Sequence, residues 1–137
     1  YRLTGELQDQ DDMHETSDGC GKSLVDSARR LARMFGADLE LQDFPACWQS
    51  VARYIADVHL DKIDRALRVV MSRQRVIADI VLVGAGAGRF LAQKLAHRHG
   101  LKYIDFADLV EATSNMKIPA AVSAAAVSVA QLARLQQ

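Results

Sequence analysis

The chain has 137 residues, half of them hydrophobic and a quarter charged, which is the composition of an ordinary globular domain or part of one and excludes a disordered tail. Lys+Arg and Asp+Glu both number 17, so the formal net charge is zero and nothing favours nucleic acid, whose phosphates call for a basic surface. No apolar run reaches the ~20 residues of a membrane span, no signal peptide opens the chain, and two cysteines, Cys20 and Cys47, point to a reducing cytoplasm rather than a disulfide framework.

Tyr1-Arg2-Leu3-Thr4-Gly5-Glu6-Leu7 reads as a strand end running into a turn. Because the chain starts at Tyr1 and not at Met, we expect a longer polypeptide with residues upstream. Residues 8–22 are polar and predict a mobile loop with almost nothing to bury. A helix is expected over Ser23–Phe35. Ser23 is its N-cap, Asp26 the capping-box partner, Leu24, Ala28, Leu31 and Phe35 its apolar stripe, and Gly36 its stop.

Asp43 is a suitable cap for a second helix, and Pro45 suits its first turn. Apolar residues from Trp48 through Val51, Ile55, Val58, Ile63 and Leu67 to Val70 carry it to about Arg73, with a break allowed near His59. Asp57, Asp61 and Asp64, interleaved with arginines, predict a solvated face. The pattern then changes. Val76–Val83 is a near-continuous apolar run rich in β-branched residues, as expected of a strand covered on both faces. Gly84–Gly88 makes a turn, Arg89–His99 a helix ended by Gly100, and Leu101–Phe106 a second strand, which together form a β-α-β unit. A closing helix is predicted over Pro119–Leu135, its alanines allowing close packing on the sheet. The expected architecture is therefore α/β: a strand end and polar loop over 1–22, a helical segment over 23–75 and a β-α-β-α core over 76–137.

Gly84-Ala85-Gly86-Ala87-Gly88-Arg89 is the most informative stretch. In open parallel sheets ligands sit beyond the carboxyl ends of strands, where this turn lies. Glycines let the backbone come close to a ligand, and the N-terminus of the following helix favours phosphate. The dinucleotide fingerprint G-x-G-x-x-G is the competing reading. It needs glycine at 89, where Arg89 stands, although Asp105 has the spacing of the ribose-binding acid. Gly21-Lys22-Ser23 imitates the end of a P-loop, but Thr16 occupies the position of its first glycine, and capping by Ser23 explains it better. The four histidines share no ligand spacing, and no metal-binding set is expected. Arg29, Arg30 and Arg33, on one side of the first helix, are candidate phosphate or substrate contacts, with a paired, exposed face as the plainer alternative.

The element order resembles the second half of the actin-like ATPase, sugar-kinase and Hsp70 fold, a ribonuclease H-like domain. Tyr1–Gly5, Ser27–Asp38, Val83–Ala92 and the closing Ile118–Val122 with Val129–Arg134 are similar to hydantoinase/oxoprolinase-like proteins linked to tetrahydromethanopterin one-carbon metabolism. Archaeal relatives of that kind join an aminomethylfuran diphosphate to a glutamyl-tyramine in methanofuran synthesis. The resemblance implies a biosynthetic transferase or ATP-dependent enzyme for a one-carbon carrier. ATP or a diphosphate substrate, with Mg2+, would lie at Gly84, Ala85, Gly86, Gly88 and Arg89. The partners it implies are a small-molecule substrate and the N-terminal part of the same protein, and a homodimer stays open. The fold's first phosphate loop, Asp-x-Gly-x-Thr, is not in this sequence, so the chain is expected to form one wall of a cleft. A non-catalytic binding or scaffold module of the same fold, or a Rossmann-type NAD/FAD domain, are the alternatives.

Overall fold

The computed structural model describes residues 1–38, 46–73 and 80–136. The chain divides into two compact units, Tyr1–Arg65 and Ala66–Gln137.

In the first unit Tyr1–Leu7 forms a turn rather than a strand end. The amide of Gly5 donates to the Arg2 carbonyl, and those of Glu6 and Leu7 to the Tyr1 carbonyl. Residues 8–22 bury little, as expected, and charged contacts run through them. Asp9–Asp11 makes a short 3-10 turn, Arg2 pairs with Asp9, Lys22 bonds the Asp12 carbonyl, and Asp18 takes two arginines. A count of apolar residues does not reveal these pairs.

Helix α1 spans Leu24–Met34. Ser23 caps it, its hydroxyl oxygen accepting from the Asp26 amide at 3.1 Å, and the chain leaves through Gly36 and Ala37, whose amides bond back into the last turn. Its fully buried residues are Ala28 and Ala32, whereas Leu24 and Phe35 are exposed, so the inward face is rotated from the expected stripe toward the small residues. Phe35 lies 6.4 Å, ring to ring, from Trp48.

Helix α2 spans Ala46–Met71 and continues through His59 without a break. The expected cap at Asp43 and the role of Pro45 lie outside the described residues. Ala52, Leu60 and Asp64 are buried, while Ile55, Val58 and Val70 are exposed. The inward face therefore follows an i, i+4, i+8 ladder through residues 52, 56, 60 and 64. Asp64, only 3% exposed, does not belong to the solvated acidic face expected of it.

The second unit carries the β-α-β element. Strands β1 (Val81–Gly84) and β2 (Lys102–Asp105) pair in parallel, with Val81 opposite Lys102 and Gly84 opposite Asp105. Helix α3 (Arg89–His99) packs on both strands and ends at Gly100. The chain is thus α/β, as expected. The first part of the predicted strand, residues 76–79, lies outside the described residues. Val81 and Val83 are 42% and 46% exposed, so β1 is covered on one face here, not on both.

Two short elements follow, the first of which the apolar pattern did not announce. Asp105 caps α4 (Phe106–Leu109), accepting the Ala107 amide at 2.9 Å, and α5 (Lys117–Val122) packs on α4. The expected single helix over 119–135 is in fact two. Ser123 departs from helical geometry with φ −95° and ψ 29°, and α6 (Ala124–Leu135) begins after it. α6 packs on α5 and, among the described residues, not closely on the sheet, and Val129 and Leu132 are exposed.

Candidate functional site

The glycine turn stands where the βαβ spacing puts it, at the carboxyl end of β1 and directly before α3. Gly86 adopts φ +79°, a left-handed conformation that any side chain would strain, and a Cβ there would meet nothing within 4 Å. Gly88 is exposed, and a Cβ there would make an ordinary van der Waals contact with Leu91 Cδ1 at 3.8 Å. The glycines at 86 and 88 thus leave the outer side of the turn accessible to a ligand. Ala85 is exposed between Gly84 and Gly86.

Gly84 has a different reason for lacking a side chain. A Cβ at this buried position would fall 2.8 Å from both Cε2 and Cζ of Tyr103, so the phenol ring occupies the space that a side chain would need. Tyr103 and Asp105 are two residues apart on β2 and share one face of the strand. The Tyr103 hydroxyl donates to Asp105 Oδ2 at 3.1 Å, and Arg89 Nε lies 3.4 Å from the same oxygen. The other carboxylate oxygen accepts the Ala107 amide. Arg89 also reaches back toward the Gly86 carbonyl at 3.5 Å. Burial, reinforced by the Asp105 carboxylate, pushes the Tyr103 phenol up to about 12, so it remains a proton donor across the physiological range.

The turn is also tied from the far side. The Gly86 amide donates to the Ala121 carbonyl of α5 at 2.8 Å, and the Arg89 amide turns back to the Gly86 carbonyl. These two amides are spent within the protein, which narrows the set of N–H groups that the turn was expected to offer a phosphate. Sequence reasoning missed both α5 as an anchor and Tyr103 as the partner of Gly84. The period-two alternation of β2 already placed Tyr103 beside Asp105, and that signal could have revealed the pair.

Arg29, Arg30 and Arg33 lie in the first unit, and each meets an acid there. Arg29 pairs with Asp26 at 3.0 Å, while Arg30 and Arg33 both reach Asp18 at 3.2 Å. Arg30 also donates to the Gly21 carbonyl at 2.9 Å and to Ser27. Desolvation works against ionisation of Asp18, but the Cys20 amide and Arg30 outweigh it and hold the carboxyl below the usual range. The Ser23 hydroxyl does the same for Asp26, helped by Arg29. Arg30 and Arg33 thus tie the loop that precedes α1 to the helix, and Arg29 pairs within the helix. Lys22 is held at Asp12 and Ser23 at the helix cap, so the P-loop-like triplet is accounted for structurally. Among the described residues no three His, Cys, Asp or Glu side chains gather as a metal site, and no helix is long and apolar enough to cross a membrane. Cys20 and Cys47 are exposed thiols.

A family model, Hydantoinase/oxoprolinase, matches residues 2–134. The chain belongs to the hydantoinase/oxoprolinase family. The match runs through both units and includes the glycine turn, the arginine-bearing α1 and the closing helices. No curated protein and no solved structure matches the chain.

Proposed function

We propose that this hydantoinase/oxoprolinase family chain forms the nucleotide- or diphosphate-holding wall of an actin-like ATPase fold, within a biosynthetic enzyme for a one-carbon carrier of the methanofuran and tetrahydromethanopterin kind. The turn carries the reading. Gly86, left-handed with open space beside it, and the exposed Gly88 let a ligand approach the backbone, and Arg89 stands at the same end of the sheet with a fixed positive charge. The ligand would contact Gly84, Ala85, Gly86, Gly88 and Arg89. Mg2+, which keeps much of its water and binds phosphate oxygens readily, would arrive with the nucleotide or diphosphate. The resemblance of Ser27–Asp38 and Val83–Ala92 to the one-carbon relatives supports the pathway assignment. The rest of the cleft, including a first phosphate loop, would come from a partner segment or chain, and a small-molecule substrate would lie between.

A specific observation weakens the Rossmann alternative. Asp105, the acid at the ribose-binding spacing, already faces Arg89, Tyr103 and the Ala107 amide. Titration calorimetry with ATP, ADP, inorganic diphosphate and NAD tests the reading. ATP, ADP or diphosphate should bind and NAD should not. Gly86→Val, which forces a β-branched side chain into φ +79°, should abolish binding. Binding of none of the first three, or equal binding by Gly86→Val, would sink the nucleotide reading. Loss of the one-carbon carrier on deletion of the gene in its host would test the pathway.

A further inference from the structure

The cluster at the carboxyl ends of the two strands carries one more step, and it rests on the nucleotide-binding reading above. We propose that Asp105 and Tyr103 are positioning residues that hold the Arg89 guanidinium ready beside the glycine turn before any ligand arrives. Three observations combine. Arg89 Nε lies 3.4 Å from Asp105 Oδ2, Nη1 reaches toward the Gly86 carbonyl at 3.5 Å, and the side chain is only 16% exposed. Tyr103 donates to the same Oδ2 at 3.1 Å, and Asp105 Oδ1 accepts from the Ala107 amide at the start of α4, so the carboxylate is itself fixed at both oxygens. The Tyr103 ring lies against Gly84 at the last residue of β1, which seats the phenol on the strand that leads into the turn.

The physical advantage is entropic. A free arginine has many rotamers, and a ligand that recruits one loses affinity in proportion to the freedom it removes, up to about tenfold. An arginine held by its Nε, with Nη1 lying toward the Gly86 carbonyl of the turn itself, carries that cost in the folded state and is fixed in place by the rigid guanidinium plane. The acid also compensates the charge, so that Arg89 can sit largely buried without a ligand. Asp105 thus stands at the ribose-acid spacing of a dinucleotide fold but acts through Arg89.

The test has two arms. The first needs no ligand: the Arg89 Nε–H resonance is followed by nitrogen-15 NMR and assigned by its loss in Arg89→Gln. In the unaltered chain it should be ordered. Asp105→Asn, which keeps an oxygen to cap α4, should make it mobile, and Tyr103→Phe should do so partly. Equal mobility in the unaltered chain and in Asp105→Asn overturns the proposal. The second arm measures ATP affinity by calorimetry. Asp105→Asn should weaken it about tenfold, Arg89→Gln at least as much, and the double variant no more than Arg89→Gln alone. If Asp105→Asn costs the same factor when Arg89 is already gone, Asp105 acts by another route and the proposal fails. Should neither ATP nor diphosphate bind the unaltered chain, the nucleotide reading fails by itself, and the first arm still decides whether Asp105 and Tyr103 hold Arg89.

Discussion

Replacing Gly84 by alanine isolates the contact that defines the floor of the turn. The backbone at Gly84 is an ordinary strand conformation, so the added methyl brings no dihedral strain, and its effect is steric. The three nearest atoms to the new Cβ all belong to Tyr103, with Cε2 and Cζ at 2.8 Å. Since carbon atoms pack at about 3.5–4.0 Å, the ring must retreat by roughly 1 Å. Overpacking of this kind costs about 1–3 kcal/mol, and the retreat also endangers the Tyr103–Asp105 hydrogen bond, worth about 1 kcal/mol. Against this, glycine-to-alanine lowers the entropy of the unfolded chain and stabilises by about 0.4–1 kcal/mol. The net expectation is a loss of about 1–3 kcal/mol, read by urea denaturation. The decisive comparison is made in a Tyr103→Ala background, where the ring is gone. There Gly84→Ala should be neutral or stabilising by up to about 1 kcal/mol. The same penalty in both backgrounds would refute the claim that Tyr103 is what excludes a side chain at 84.

Two further outcomes follow from the titrating groups and the caps. The Tyr103 phenol is pushed up to about 12 by burial first and by Asp105 second, so its stabilising contribution is complete below the ordinary phenol value of 10.0 and is lost as pH rises from there through about 12. An ultraviolet titration should show a late-ionising phenol, lost in Tyr103→Phe and distinct from the raised Tyr1 phenol, that Asp105→Asn brings down toward the ordinary value, though not fully, because burial remains. Ser23→Ala should cost about 1 kcal/mol through loss of the α1 cap. It should also raise the Asp26 carboxyl toward its usual range in an NMR pH titration, since the Ser23 hydroxyl is the main cause of its depression. Asp26 contributes its stabilisation above the ordinary carboxylate value and loses it as pH falls through the depressed one, a window that the variant should narrow.

What the sequence made legible was whatever depends on local signals. The change from helical spacing to a β-branched run located β1, and Gly100 ended α3 where the structure ends it. Ser23 and Asp26 marked the start of α1. What depends on tertiary neighbours was not legible in an apolar count. The inward face of α2 runs through Ala52, Leu60 and Asp64, two of which carry little or no apolar weight, while the larger Ile55 and Val58 face outward. The loop before α1 looked mobile because it has nothing to bury, yet Asp18 gathers Arg30 and Arg33 from the following helix. At the turn, the glycines announced the backbone but not the reasons for each. Gly86 answers to its own dihedral, whereas Gly84 answers to a side chain nineteen residues away.

Arg89 is where the two readings of the turn part most sharply, and a single substitution separates them. Arg89→Gly would complete the spacing Gly84-x-Gly86-x-x-Gly that a dinucleotide site requires, and it would release Asp105 from its ion pair. Were the turn a dinucleotide site blocked by one residue, the variant should gain affinity for NAD. The geometry argues against that gain. Asp105 would still accept from Tyr103 and from the Ala107 amide, and the Gly86 amide would still be spent on Ala121. A ribose diol would have to displace the Tyr103 bond, and leaving a partly buried phenol unpaired costs about 1–3 kcal/mol. The expected result in calorimetry is therefore no NAD binding and a loss of ATP or diphosphate affinity of tenfold or more, the scale of one charge-assisted contact, about 1.5–3 kcal/mol. NAD binding by Arg89→Gly, with Asp105→Asn abolishing it, would overturn this account and make Asp105 a ribose acid after all.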